Sequence, residues 1–123
     1  MTRKRLPDTR HGLVHKVIFG GIEWFITTGE YDDGTLGEIF IKIAKEGDEM
    51  RLYDIVAISI SLGIQHGIPL QVFVDKFKHM KLEPRGWTNN PNIPKADSIV
   101  DYLVKWLEMK YLSRTAPSDP TTN

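Results

Sequence analysis

The residues best suited to bind a ligand lie in a loop near position 87. An arginine, a tryptophan and two asparagines follow one another closely there, at Arg85, Trp87, Asn89 and Asn90. The ring of Trp87 could stack on a nucleobase while Arg85 meets a phosphate, and the two asparagine amides could read base edges. We therefore predict a ligand-binding loop. The alternative is that Trp87 folds back and covers the core.

A second group of cations lies at the N-terminus. Residues 1–12 are polar and basic and include Arg3, Arg5 and Arg10. A proline and a glycine disfavour regular structure in this stretch, which predicts an extended basic arm. We expect these arginines to help bind the phosphates of the same ligand. The alternative is that the arm only keeps the chain soluble.

No residue pattern in the sequence is suited to catalysis. The chain has no cysteine, which excludes disulfides, thiolate metal sites and thiol radical chemistry. The four histidines lack the i,i+4 pairing of a helical zinc site, and the paired carboxylates lie in turns where we expect them to be solvated. We predict no catalytic residue, no metal ion and no cofactor.

The composition describes an ordinary globular protein. A chain of 123 residues predicts one domain, and 41% of the residues are hydrophobic. The formal net charge is zero, which gives no indication of a nucleic-acid or membrane partner. No apolar run approaches the ~20 residues that cross a bilayer. We expect a soluble, cytoplasmic protein.

Hydrophobic alternation predicts three strands, at residues 13–19, 22–31 and 38–44. The glycine pair at 20–21 and the turn signal at 32–34 connect them as an antiparallel meander. Ile39, Ile41 and Ile43 share one side of the third strand, so we expect that side to meet the helices.

Three helices are predicted after the strands. Apolar spacings of three and four begin after Gly47-Asp48, Gly67 is placed to end the first helix, and Pro69 opens the second. Residues 82–95 are predicted as a loop, 96–112 as the last helix and 113–123 as a disordered tail. The predicted fold is α+β, with a three-stranded antiparallel β-meander followed by three helices packed on one face in a single domain at 13–112.

The last predicted helix is apolar on two stripes. Because a helix on one sheet face needs only one stripe, we predict that Tyr102, Trp106 and Tyr111 form a homodimer seam. The alternative is that this helix is sandwiched between the sheet and the first helix.

The chain resembles the TSCPD domain, the small C-terminal domain of vitamin B12-dependent ribonucleotide reductases. The matching motifs lie in the same order along almost the whole predicted domain, at residues 3–8, 37–41, 45–47, 65–69, 83–86 and 99–102. The resemblance does not bring catalysis, since the reductase cysteines and cobalamin site have no counterpart in a cysteine-free chain.

The resemblance implies a link to nucleotides. We expect a non-catalytic, stand-alone module that binds a nucleotide or a nucleotide-derived molecule, as in a phage protein that sequesters a signalling nucleotide. The alternatives are a regulatory module that docks on ribonucleotide reductase and a weak nucleic-acid binder. The sequence does not identify the ligand, the oligomeric state or whether the arm becomes ordered on binding.

Overall fold

A three-stranded antiparallel sheet forms the framework of the protein. The computed structural model describes residues 2–43 and 48–112, so the predictions for residues 44–47 and for the tail lie outside the described residues. The strands follow chain order as β1 (Val14–Phe19), β2 (Ile22–Glu30) and β3 (Leu36–Ile43). This confirms the predicted meander, although β3 begins two residues earlier than expected.

The two turns of the meander have different chemistry. Gly20 and Gly21 have φ of 64° and 72°, the positive values that a two-residue hairpin turn needs. In the second turn the carboxylate of Asp33 accepts hydrogen bonds from the amide and hydroxyl of Thr35, at 3.0 and 2.7 Å. Both turns therefore follow from local sequence alone.

One face of the sheet is buried by helices. Val17, Trp24, Ile26, Ile39 and Ile41 all point to that face and are at most 2% exposed. The helices that follow the sheet are α1 (Asp48–Gln65), α2 (Leu70–Phe77) and α3 (Ile99–Leu107), and a π-helical turn at Glu108–Leu112 extends α3. The α+β fold and the orientation of the isoleucines on β3 are thus as predicted.

Helix α1 covers the free edge of β3 with two polar side chains. The hydroxyl of Ser61 accepts a hydrogen bond from the amide of Ile39 at 2.9 Å. The amide group of Gln65 donates to the carbonyl of Gly37 at 2.9 Å. Because Ser61 and Gln65 are one helical turn apart, they satisfy edge groups two residues apart on the strand.

The ends of the helices show which capping residues set their bounds. Gly67 has φ of 98° and ends α1 as predicted, whereas Pro69 is the residue before the first turn of α2. Helix α3 begins at Ile99 rather than at 96, because the hydroxyl of Ser98 accepts a hydrogen bond from the amide of Asp101 at 2.9 Å.

The predicted loop contains a small second sheet. Strands β4 (Gly86–Trp87) and β5 (Lys95–Ala96) pair with each other in antiparallel register. A single β-bridge joins Thr88 to Phe19 at the end of β1. The loop is therefore attached to the open edge of the main sheet.

The predicted homodimer seam on the last helix needs correction. Tyr102 and Trp106 are 0% and 2% exposed, and Tyr111 is half-buried with its hydroxyl donating to Glu30 at 2.6 Å. These side chains are covered inside the protomer, so they cannot form a seam with another copy. Helix α3 packs against α2 as well as against the sheet.

Candidate functional site

The N-terminal arm is held against one end of the sheet. The backbone amide of Lys4 donates to the carbonyl of Gln65 at 2.7 Å, and the hydroxyl of Tyr31 donates to the carbonyl of Lys4 at 2.6 Å. The Lys4 ammonium also lies 4.5 Å from the centre of the Tyr31 ring. The arm, at residues 2–13, contains no helix or strand and is held by these contacts.

Two of the three arginines of the arm already have partners within the chain. The guanidinium of Arg3 donates to the side-chain oxygen of Gln65 at 2.6 Å. Arg10 forms a 2.9 Å ion pair with Glu38, whose side chain is 15% exposed. Arg5 is exposed. Binding a phosphate through Arg3 or Arg10 would therefore require one of these contacts to break.

The loop around Trp87 is held rigidly by its own backbone and by the main sheet. The amide of Thr88 donates to the carbonyl of Pro94 at 2.9 Å, and its hydroxyl donates to the carbonyl of Ile93 at 2.6 Å. On the other side, the ring of Pro84 lies so close to Gly20 that a Cβ there would be 2.7 Å from it. The loop thus has one defined conformation.

The two asparagines serve this loop structurally. The side-chain oxygen of Asn89 accepts a hydrogen bond from the amide of Ile18 at 2.8 Å. The side-chain nitrogen of Asn90 donates to the hydroxyl of Tyr102 at 2.8 Å, and its oxygen accepts from the amide of Asn92 at 3.0 Å. Their predicted ability to read base edges would compete with these bonds.

Trp87 stands outside this framework. The residue is 75% exposed, so it does not fold back to cover the core. The ammonium of Lys95, its cross-strand neighbour, lies 5.7 Å from the centre of the indole ring. Arg85 is exposed and forms a 3.0 Å ion pair with the exposed Glu83. The exposed indole ring therefore lies beside the cation of Lys95, and the ion-paired Arg85 is two residues before it in the chain.

Lys95 is the member of this group that the sequence did not reveal. It lies eight residues from Trp87, a separation with no meaning in a helix or in one strand. Only the β4–β5 register brings the two side chains together. The glycines and prolines in this segment could have suggested a hairpin. Strands of two residues, however, give no periodicity that would support such a prediction.

A chain of hydrogen bonds connects the loop to a half-buried histidine, His15. The hydroxyl of Tyr102, which accepts from Asn90, lies 2.7 Å from Nε2 of His15. The His15 ring stacks on Trp106 with 4.8 Å between ring centres. Burial lowers the pKa of His15 from its ordinary value, and the nearby Lys110 ammonium lowers it further. In the tautomer that carries its proton on Nδ1, a neutral His15 accepts a hydrogen bond from the hydroxyl of Tyr102.

The structure does not bring the arm and the loop together. The arm contacts the end of the sheet where Glu38 pairs with Gly29, and the loop contacts the opposite end, where Phe19 pairs with Ile22. Seven residues of β2 separate these points, which is about 20 Å of strand. The seven predicted ligand-binding residues therefore form two groups, and one mononucleotide cannot contact both.

A cleft of about 510 Å³ opens beside the arm. Its walls include Leu36, Ile64 and Leu70, and Lys4 and Asp33 lie at its border. The size suits a small molecule. The carboxylate of Asp33 is a poor neighbour for a phosphate, since like charges repel. The cleft is thus less suited to a nucleotide than the surface around Trp87.

One cluster of possible metal ligands exists among the described residues. His79, Asp97 and Asp101 have ligand atoms within 4.8 Å of one another. The carboxylate of the buried Asp101 already accepts hydrogen bonds from the amides of His79 and Asp97, at 2.6 and 2.8 Å, and from Lys105 at 2.9 Å. This cluster is explained by its role in anchoring the chain.

The pKa of Asp101 agrees with this structural role. Burial by itself raises the pKa of the carboxyl group. The amides of Asp97 and His79 and the ammonium of Lys105 lower it by more, so the net pKa lies below the ordinary value of 3.8. Asp101 is therefore an ionised anchor that fixes both ends of the segment containing the Trp87 loop.

The chain belongs to the TSCPD domain family, whose model matches residues 1–111. That span includes the arm, the sheet, all three helices and the Trp87 loop. The family resemblance inferred from the sequence motifs is thereby confirmed.

Three similar curated proteins are vitamin B12-dependent ribonucleotide reductases. The protein from Rhodopirellula baltica is 44% identical over 112 residues, which is 90% of this chain and 11% of the relative. The protein from Bradyrhizobium diazoefficiens is 45% identical over 123 residues, or 97% of this chain and 10% of the relative. The protein from Streptomyces avermitilis is 40% identical over 111 residues, which is 89% of this chain and 12% of the relative.

The chain spans about a tenth of the length of these relatives. No solved structure matches it significantly. Within residues 2–43 and 48–112, no helix combines the length and apolar character needed to cross a bilayer.

Proposed function

We propose that this chain binds a nucleotide on the surface formed by Trp87, Lys95 and Arg85, and that it does so without transforming the nucleotide. The base stacks on the indole ring, and the two cations contact the phosphates. The observation that carries this proposal is the 75% exposure of a tryptophan whose neighbours Thr88 and Asn89 are held by hydrogen bonds. Stacking of a base on an aromatic side chain contributes roughly 1–3 kcal/mol.

The rigidity of the loop supports binding rather than a purely structural role. An exposed tryptophan leaves a large apolar surface in water, and folding of this domain does not require it. Because Thr88 and Asn89 already fix the backbone, little conformational entropy would be lost when a base stacks. Preorganised aromatic surfaces of this kind are typical of binding sites.

The relatives supply the ligand class. By name they are ribonucleotide reductases, and ribonucleotides are therefore the molecules that those proteins handle. The absence of cysteine from this chain supports a binding role rather than thiol-based reduction. A phage origin, sequestration of a signalling nucleotide, docking on a reductase and weak binding of nucleic acids stay predictions.

The cofactor in the relatives' name does not fit the two clefts beside the arm. The two clefts beside the arm have volumes of about 510 and 410 Å³, too small to enclose a corrin ring with its nucleotide loop. The imidazole of His15 is stacked and hydrogen-bonded inside the domain. We derive no role for vitamin B12 in this chain.

Tryptophan fluorescence offers a direct test. Trp24 and Trp106 are 1% and 2% exposed, so Trp87 is the tryptophan that a soluble nucleotide can reach. We expect ATP or a cyclic dinucleotide to quench this fluorescence saturably, and calorimetry to give the same affinity. A panel of mono-, di- and cyclic nucleotides that gives no heat and no quenching would refute the proposal.

Matched variants locate the site. We expect Trp87→Ala to weaken binding roughly 5- to 150-fold, which corresponds to the loss of one stacked base. Lys95→Ala should weaken binding less than Trp87→Ala does, and its effect should be larger at low salt than at high salt. Lys4→Ala, which changes the cleft beside the arm, should leave the affinity unchanged. If Lys4→Ala abolishes binding and Trp87→Ala does not, the ligand occupies the cleft and the proposed site is wrong.

A further inference from the structure

The outer surface of α1 carries an apolar stripe that nothing in the described protomer covers. Leu52, Ile55, Ile58 and Leu62 recur along the helix and are 62%, 57%, 56% and 40% exposed. After the end of α1, Ile68 (42% exposed) packs beside Gly63 of the same helix. We call these five residues and Val72 of α2, which is 51% exposed, the α1 stripe.

The stripe lies opposite the surface that packs on the sheet. On the inner side of α1, Ala57 and Ile60 are 3% and 1% exposed, and Ser61 bonds to the edge of β3. At 100° per residue, Ile55 and Ile58 point away from that side. A helix that is apolar on both sides is normally covered on both sides. The inner side has its partner within the protomer, and the outer side has none among residues 2–43 and 48–112.

The outer face of the sheet is a weaker candidate for an interface. Val14 and Phe40 are 74% and 53% exposed there, but the next row across the strands contains Lys16 and Lys42 on either side of Phe25. Charged residues of this kind keep open sheets from associating. The row of large aliphatic residues on α1 from 52 to 62 has no such charged pair across its centre.

We propose that a second copy of this chain packs on the α1 stripe. The six exposed fractions together equal about three fully exposed aliphatic residues, on the order of 500 Å² of apolar surface. One partner in a standard interface buries roughly 800 Å², of which somewhat more than half is apolar. The stripe therefore supplies about the apolar area that one subunit of a stable homodimer contributes.

Charge and geometry favour a second copy over a different protein. The chain has zero formal net charge, so two copies meet without long-range repulsion. The stripe is centred near residue 57 of the helix, and two such helices can pack antiparallel about a two-fold axis with Ile55 and Ile58 nearest the axis. Because α1 closes the edge of β3, association on this side uses helix packing rather than strand pairing.

Light scattering and sedimentation of the full chain test the proposal. We expect the wild-type protein to have twice the mass of one 14.1 kDa chain at micromolar concentrations. Ile58→Glu should reduce the mass to that of one chain, because it places a carboxylate at the centre of the interface. Phe40→Glu, an equally exposed change on the sheet face, should leave the dimer intact. Circular dichroism checks that each variant is folded. Ile55→Glu is a second variant of the α1 stripe and should have the same effect as Ile58→Glu.

The absence of cysteine permits an independent measurement. In a chain with no other thiol, Ile58→Cys should cross-link to a dimer with a short bis-maleimide, whereas Val14→Cys should not. A monomeric wild-type protein would overturn the proposal. So would a dimer that survives both glutamate changes on α1, or one that Phe40→Glu dissociates. None of these results depends on nucleotide binding, so this proposal and the proposed function can fail separately.

Discussion

Both ends of the sheet place a lysine over an aromatic ring, Tyr31 at the arm end and Trp87 at the loop end, but the first ring is buried and the second is exposed. At the arm end, the guanidiniums of Arg3 and Arg10 are bonded to Gln65 and Glu38. At the loop end, Trp87 is 75% exposed and Lys95 lies beside its ring. The sequence suggested one site made from both groups. Residue types alone show which ligand contacts are possible. The exposure of each side chain and its existing partners show where such contacts can form.

Each end is fixed by one buried polar side chain. Asp101, which is 0% exposed, holds the amides of His79 and Asp97 and so anchors the segment that contains the loop. Gln65, which is 4% exposed, bonds to the arm and to the edge of β3. Replacing Asp101 and Gln65 separately is the most direct way to test the difference between the two ends of the sheet.

The largest effect is expected from Asp101→Ala. The change leaves two backbone amides without an acceptor and removes the partner of Lys105, whose side chain is 21% exposed. We expect a loss of about 3 kcal/mol in the free energy of unfolding, measured by urea denaturation. The exposed Asp54→Ala should change it by less than about 0.5 kcal/mol. A loss below about 1 kcal/mol for Asp101→Ala would show that it is not the anchor of this segment.

A smaller effect is expected from Gln65→Ala. The carbonyl of Gly37 and the guanidinium of Arg3 lose their partner, which should cost about 2 kcal/mol. Trypsin should cleave the arm at Arg3 or Arg5 faster than in the wild-type protein, while nucleotide affinity stays the same. Gln71→Ala, which removes only an exposed contact with Asp75, is the control. Loss of nucleotide binding in Gln65→Ala would contradict the assignment of the site to the loop end.

The smallest effect is a pH dependence at His15, which is linked to the loop through Tyr102 and Asn90. Because burial and then Lys110 lower the pKa of His15 in the folded state, the unfolded state binds this proton more tightly. The stabilisation is complete above the ordinary value of 6.5 and declines as the pH falls from there toward the lower pKa of the folded state.

Thermal unfolding across this range measures the effect. We expect His15→Gln to reduce the slope of stability against pH, because its amide does not titrate. His11→Gln, in the exposed arm, should keep the wild-type slope. An unchanged slope in His15→Gln would mean that protonation of His15 is not linked to folding.

Much of the fold was readable from local signals. The positive φ values of Gly20, Gly21 and Gly67 match turns that glycine favours, and the alternation of isoleucines on β3 gave the buried face. Strands β4 and β5 were missed because two residues carry no period. The start of α3 was misplaced although Ser98, three residues before Asp101, is a recognisable capping signal.

The site was only partly predictable, for a different reason. Trp87 and Arg85 were identified by type, but their distance from the arm depends on which end of the sheet each segment contacts. Apolar periodicity has the same limit in the helices. The periodicity predicted two apolar stripes on α3, but it did not indicate that the sheet and α2 cover both of them. The exposed apolar stripe lies on α1 instead.

The side chains of Ser61 and Gln65 on the edge of β3 have a consequence for how this domain can be carried by other proteins. The hydrogen bonds of Ser61 and Gln65 occupy the amide of Ile39 and the carbonyl of Gly37, so another strand cannot pair with β3 at these two residues. Where the domain is part of a longer chain, a strand from the rest of that chain would have to displace α1 before it could pair with the sheet on this side.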